Sequence, residues 1–193
     1  MEKDFTEHFD GEKMDKPIEE LLNEEVAISE KIETYSTETV AMLIKQSVDI
    51  HWQQAMELTG QSVHLTRWGY GKLGSLFGEY AKEEHVHAGV AISRLEFFDE
   101  DYQPLTVSPR LWKRHDIKSI IEFNLEGVRN AALVEKAVIK LAREVGDEIT
   151  AQEFIPLLKG SDDGILEFEK MLKTIEQMGI ENFLTLVAEP LES

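Results

Sequence analysis

Residues 99–115 read DEDYQPLTVSPRLWKRH, and this stretch decides how the segments around it connect. It holds Pro104 and Pro109 and lacks the three-and-four spacing of apolar residues found on either side of it. Seventeen residues are too many for a helical hairpin. Fully extended they reach roughly 56 Å, whereas a 27-residue helix is about 40 Å long. The stretch can therefore run the length of a helical bundle and restart at its opposite end.

The flanks supply the helices. Before the crossover, the spacing predicts a helix over about 72–98 with Leu73, Phe77, Tyr80, Glu84, His87, Ala91, Leu95 and Phe98 on one stripe. After it, Asp116 caps a helix over about 117–145 that turns Ile117, Ile121, Leu125, Val128, Ala132 and Ile139 inward. Further out, Ser36 or Thr37 caps a helix over about 37–65 whose stripe runs Val40, Ile44, Ser47, His51, Ala55, Leu58. The run TRWGYG at 66–71 turns this helix into the next. A Gly146-centred turn and a Thr150-Ala151-Gln152-Glu153 capping box open a helix over about 151–178, which Gly179 stops. Short turns make each pair an antiparallel hairpin. The expected fold is all-α: a four-helix bundle with a long crossover between helices two and three and a short fifth helix, Ile180 to Val187. Upstream, Asp15-Lys16-Pro17 opens an extra amphipathic helix over about 17–33. Residues 1–35 thus read as an acidic extension and 36–193 as the bundle.

Composition narrows the function. The 193 residues carry 38 acids against 20 Lys and Arg, a net charge of −18, of which residues 1–35 hold −8. That field opposes nucleic-acid backbones and anionic membranes. The absence of cysteine excludes disulfides, thiolate metal sites and Cys nucleophiles. With no apolar run of membrane-spanning length and no signal-peptide pattern at the start, a cytoplasmic protein is expected.

The chemistry lies where polar groups interrupt the stripes. Glu84 and His87 stand three apart on a line of Leu, Phe, Tyr and Ala, and a carboxylate buried alone is costly. On one helical face, Glu-x-x-His can reach one ion, as in bundle-core metal sites. His51 interrupts the first stripe where the antiparallel neighbour brings Glu84. Two imidazoles and a carboxylate suit a mononuclear site for Fe, Mn, Zn or Cu. The alternative is a buried hydrogen-bonded cluster in which Glu84 accepts from the histidines. Tyr80 reads as core.

These residues also resemble bacterioferritin. The likeness runs from about residue 34 to the C-terminus and includes Trp68-Gly69, the Glu84-His85-Val86-His87-Ala88 core, and the ending IEQMGIENFL at 175–184. The resemblance implies the ferritin-like bundle, a twenty-four-subunit homo-oligomeric cage, iron oxidation at an intrasubunit di-iron centre, iron storage, and haem between paired subunits. Carried over residue by residue, the bridging Glu and terminal His of helix two are Glu84 and His87. The first-helix Glu falls on His51, the third-helix Glu on Val128 with Glu126 nearby, and the fourth-helix Glu and His on Ser161 and Gly164. Two of six di-iron ligands remain, which argues against two-iron ferroxidase chemistry and leaves enzymatic activity open. In a second register Glu24 would be the first-helix ligand, but that register strands 37–65 and loses the Trp68-Gly69 match.

Two further features follow from the alignment. The family's haem-ligating Met falls on His85, itself a competent axial ligand; the alternative is an exposed or interface imidazole. Pro156 and the run Gly160-Ser161-Asp162-Asp163-Gly164 read as a kink or interruption with solvent-facing aspartates. The alternative is a reshaped helix in which Asp162 and Asp163 supply oxygen ligands. Three functions remain in view: a divergent iron-binding cage protein, a mononuclear-metal or haem-bearing bundle, and a scaffold without the chemistry whose N-terminal helix contacts a neighbour or another protein.

Overall fold

The structure is a computed structural model that describes residues 37–100, 110 and 116–189. The expected N-terminal helix, and most of the crossover, lie outside the described residues. Among the described residues there are four long helices, α1 (Thr37–Arg67), α2 (Gly71–Phe97), α3 (Ile117–Glu144) and α4 (Glu148–Met178), followed by the short α5 (Ile180–Val187). Among the described residues, no helix is long and apolar enough to cross a membrane.

The helices pair as their connections require, α1 most extensively with α2, α3 with α4, and α1 also with α3. His51 of α1 meets Glu84 of α2, and further along α1 the Ser62 hydroxyl donates to the Gly74 carbonyl (2.7 Å), nearer the start of α2. The two helices therefore run antiparallel. A side chain at Gly74 would collide with Thr66 and the Ser62 carbonyl, so glycine there lets the backbones approach. The turns between the hairpin helices use Gly69 and Gly146 at φ +90° and +82°, a region that suits glycine.

Every residue expected on the inward stripes of α1 and α3 is buried. At the end of the bundle near the α1–α2 turn, Leu65, Leu73, Phe77, Ile120, Ile121, Phe168 and Phe183 form one apolar cluster. Tyr80 packs edge-on against Phe168 at a centroid distance of 5.7 Å. Burial, with Glu167 and Glu83 adding to it, pushes its phenol up to about 12, which suits a core residue. At the far end, Arg94 is buried and donates to Thr150 Oγ1 (3.0 and 2.8 Å) and Asp147 (3.4 Å).

The start of α4 differs from the sequence expectation. The N-cap is Asp147, which accepts from the Thr150 amide (3.0 Å), so the helix begins three residues early. Thr150 is fully buried; its hydroxyl accepts from Arg94 and donates to the Asp147 cap carboxylate. The expected break at Pro156 and residues 160–164 is also absent: α4 is continuous through both. Pro156 lies on the exposed side of the helix, where its missing donor leaves no buried carbonyl unpaired.

Arg110, a described residue of the crossover, is anchored to the bundle. Arg110 donates from its backbone amide to Glu57 Oε1 (2.6 Å) and from its guanidinium to Glu57 Oε2 (3.2 Å). It stacks over Phe123 at 4.1 Å. Glu57 is on α1 and Phe123 on α3, so Arg110 sits at the face those helices share.

Candidate metal centre

All four long helices contribute to one polar site inside the bundle. His51 is 1% exposed and Glu84 9%, and these low values matter because ions so buried need partners. His51 Nδ1 lies 2.6 Å from Glu84 Oε2. The same carboxylate oxygen stands 4.0 Å from His87 Nδ1, which has no hydrogen-bond partner although it is buried. The two rings meet edge to face, 5.1 Å between centroids. One ligand atom from each of His51, Glu84 and His87 falls within 4.8 Å of the others. Sequence spacing had placed these three together, and the fold does bring them together.

A fourth residue was not anticipated. Glu135 on α3 is fully buried, and neither carboxylate oxygen receives a hydrogen bond. Its nearest polar contact is His51 Nε2, 3.4 Å from Oε1, an ion-pair distance without hydrogen-bond geometry. His51 therefore lies between two carboxylates, one at each ring nitrogen. The signal for Glu135 was present in the sequence: it stands three after Ala132 and four before Ile139, on the inward stripe itself. The resemblance instead places the third-helix ligand at Val128, two turns earlier.

The electrostatics of the two histidines diverge. Burial is the largest influence on His51 and works to lower its pKa. The combined attraction of Glu135 and Glu84 outweighs it and raises the imidazole to about 9. For His87 burial again dominates and lowers the pKa, with Glu84 opposing and His51 reinforcing it. One ring is thus held as an imidazolium and the other as a neutral imidazole with a lone pair available.

The fourth helix contributes space rather than a ligand. A Cβ on Gly160 would lie 2.8 Å from His87 Cε1 and 3.1 Å from Nε2, so the ring occupies the notch that this glycine leaves. Val128 Cγ1 stands 3.4 Å from the corresponding position on Gly164. His87 and Val128 thus pack against these two glycines, and Ser161 is buried nearby on the inward face of α4.

The remaining candidates lie elsewhere. Asp162 and Asp163 are exposed, and Asp162 faces Lys136 at 4.0 Å; continuous helix turns them away from the core. Glu126 is half-buried and outside the cluster. His85 is exposed, with Nδ1 2.8 Å from the Ala81 carbonyl and its ring edge-on to Trp52 at 4.9 Å.

Comparison with known proteins agrees with this fold. Residues 42–178 match the family model for the ferritin-like domain, and the chain belongs to that family. It is 31% identical over 126 residues to the bacterioferritin of Brucella melitensis biotype 1, covering 65% of this chain and 78% of that protein. Within the family, it is a bacterioferritin-like member.

Proposed function

We propose that this chain is a bacterioferritin-like iron-binding protein whose interhelical centre holds one divalent ion, at His51, Glu84 and His87, in place of an iron pair. The observation that carries this reading is the buried, unpartnered Nδ1 of His87, 4.0 Å from a carboxylate oxygen that also contacts His51. Two imidazoles and a carboxylate are a donor set that fits Fe, Mn, Zn or Cu. A second ion lacks its bridging carboxylates, because Val128, Ser161 and Gly164 stand where the family places ligands. When bound, the ion supplies a Lewis-acidic and, if iron, redox-active centre. The chain's own residues orient the donors, exclude bulk water, and hold a proton on His51 that must leave when a cation takes its place.

Element-resolved metal analysis of the purified protein, beside a His51→Ala/His87→Ala variant, tests the site. About one equivalent in the parent and none in the variant is expected; unchanged metal content in the variant removes the proposal. We assign iron storage in a homo-oligomeric shell on the strength of the family alone. Sedimentation of the full chain and iron loading with an absorbance readout test it, and a monomer that forms no iron core refutes it.

Haem ligation by His85 between two copies rests on a single observation. Its Nδ1 already faces the Ala81 carbonyl, an arrangement that orients Nε2 for a ligand. A Soret band lost in His85→Ala would support it.

A further inference from the structure

We infer that Glu135 is the positioning residue of this centre: it holds the Nε2–H of His51 and so fixes the tautomer that presents Nδ1 to the ion beside Glu84 and His87. The inference rests on the reading of the cluster as a metal site. Glu135 and Glu84 contact opposite nitrogens of one imidazole, at 3.4 and 2.6 Å. The two ring nitrogens of an imidazole diverge, so the groups they face cannot share one ion. Glu135 accordingly falls outside the set of donors that converge within 4.8 Å.

Burial makes the pairing obligatory. Glu135 is fully buried with no donor to either oxygen, and His51 Nε2 likewise lacks a hydrogen-bond acceptor. Each is the polar group that the other faces. A carboxylate in such surroundings needs a cation or a donor, and His51 Nε2, at an ion-pair distance of 3.4 Å, is the group placed to supply it. Once Nδ1 gives up its proton to accommodate an ion, the remaining proton belongs on Nε2, because the Glu135 charge lies there. Carboxylates behind metal-bound histidines orient the ring and raise its basicity. No family ligand maps to position 135: the third-helix carboxylate of the resemblance falls on Val128.

Uniformly 15N-labelled full-length protein, loaded with Zn2+ alone, tests this through long-range 1H–15N correlation of the His51 ring and competition titration of Zn2+ affinity. The expected spectrum has the proton on Nε2 and the metal on Nδ1. Glu135→Leu is expected to weaken Zn2+ binding 10- to 100-fold and to mix the tautomers. Glu135→Gln, isosteric and still an acceptor, is expected to keep the Nε2–H signature with an affinity loss smaller than that of Glu135→Leu. A proton on Nδ1 with Nε2 bound to metal would overturn the assignment, as would unchanged Zn2+ affinity in both variants. Should Glu135→Leu fail to fold, a Glu135→Gln protein with mixed tautomers overturns it equally. A parent protein that takes up no Zn2+ refutes the metal-centre reading itself, and this inference with it.

Discussion

Gly160→Ala separates the metal site from the stability of the fold. The added Cβ would stand 2.8 Å from His87 Cε1, whereas carbon atoms pack at about 3.5–4.0 Å. The ring must therefore retreat by roughly 0.7–1.2 Å. It has room to do so, since the His87 side chain is 18% exposed. Alanine in a helix interior is favoured over glycine by about 1 kcal/mol, which offsets much of the cost of the shift, so the metal-free variant should melt within about 1 kcal/mol of the parent. Metal binding has no such offset. Ligand distances tolerate about ±0.2 Å, and a donor displaced by several times that amount is lost or strained. Zn2+ or Co2+ affinity, measured by competition with a chromophoric chelator, should fall at least tenfold, or about 1.4 kcal/mol. An intact fold with affinity within twofold of the parent would refute His87 as a ligand seated on Gly160.

Three other perturbations follow from the same contacts. His51→Leu leaves Glu84 and Glu135 buried without their shared cation; urea unfolding at neutral pH should show a loss of about 3–5 kcal/mol, and a surface-like loss below 1 kcal/mol would contradict the pairing of His51 with both carboxylates. Because the folded-state pKa of His51 is raised from 6.5 to about 9, its stabilising contribution is complete below the unfolded value and is lost as pH rises through 9. Metal-free melts should therefore decline between pH 7 and 10, and the decline should flatten in His51→Gln. Arg110→Ala removes the guanidinium from the buried Glu57 carboxylate, which keeps the residue-110 amide and Gln53 as donors; it should cost roughly 3 kcal/mol, read by chemical denaturation, whereas Arg110→Lys should recover part of it.

The bundle was legible because its signals are local and redundant. The 3.6-residue stripes, the Asp116 cap and the glycine turns each specify a helix or its end without reference to distant residues. The errors arose where a local signal competed with tertiary packing. Thr150-x-x-Glu153 is a plausible capping box, but Asp147 caps α4 instead, and the Thr150 hydroxyl bonds both that cap and Arg94, which arrives from α2. Pro156 and two nearby glycines look like a break. With proline on the outer face and Gly160 holding His87, the helix continues because its packing is favourable on both sides of that segment. At the site, His51, Glu84 and His87 could be read from stripe positions and an antiparallel register. Glu135 was equally visible on its stripe, yet its pairing depends on how far α3 slides along α1, which the unequal lengths of crossover and helix leave undetermined.

The two readings left open by the sequence, metal site and hydrogen-bonded cluster, are two occupancies of the same donors. At 2.6 Å, His51 Nδ1 and Glu84 Oε2 are at hydrogen-bond distance and hold a proton between them. In that state an imidazolium between two carboxylates neutralises most of the buried charge, and the fold needs no metal to be stable. A cation that binds there must displace the proton, so its apparent affinity weakens as pH falls below about 9, where His51 takes up its proton. His87 is the asymmetric member: burial keeps it neutral, and its Nδ1 has no partner in the proton-filled state. A cluster selected only for internal hydrogen bonding would have paired that nitrogen or replaced it with an apolar side chain. Its retention, in a notch opened by Gly160, is the feature of the site that the proton-filled state leaves unused.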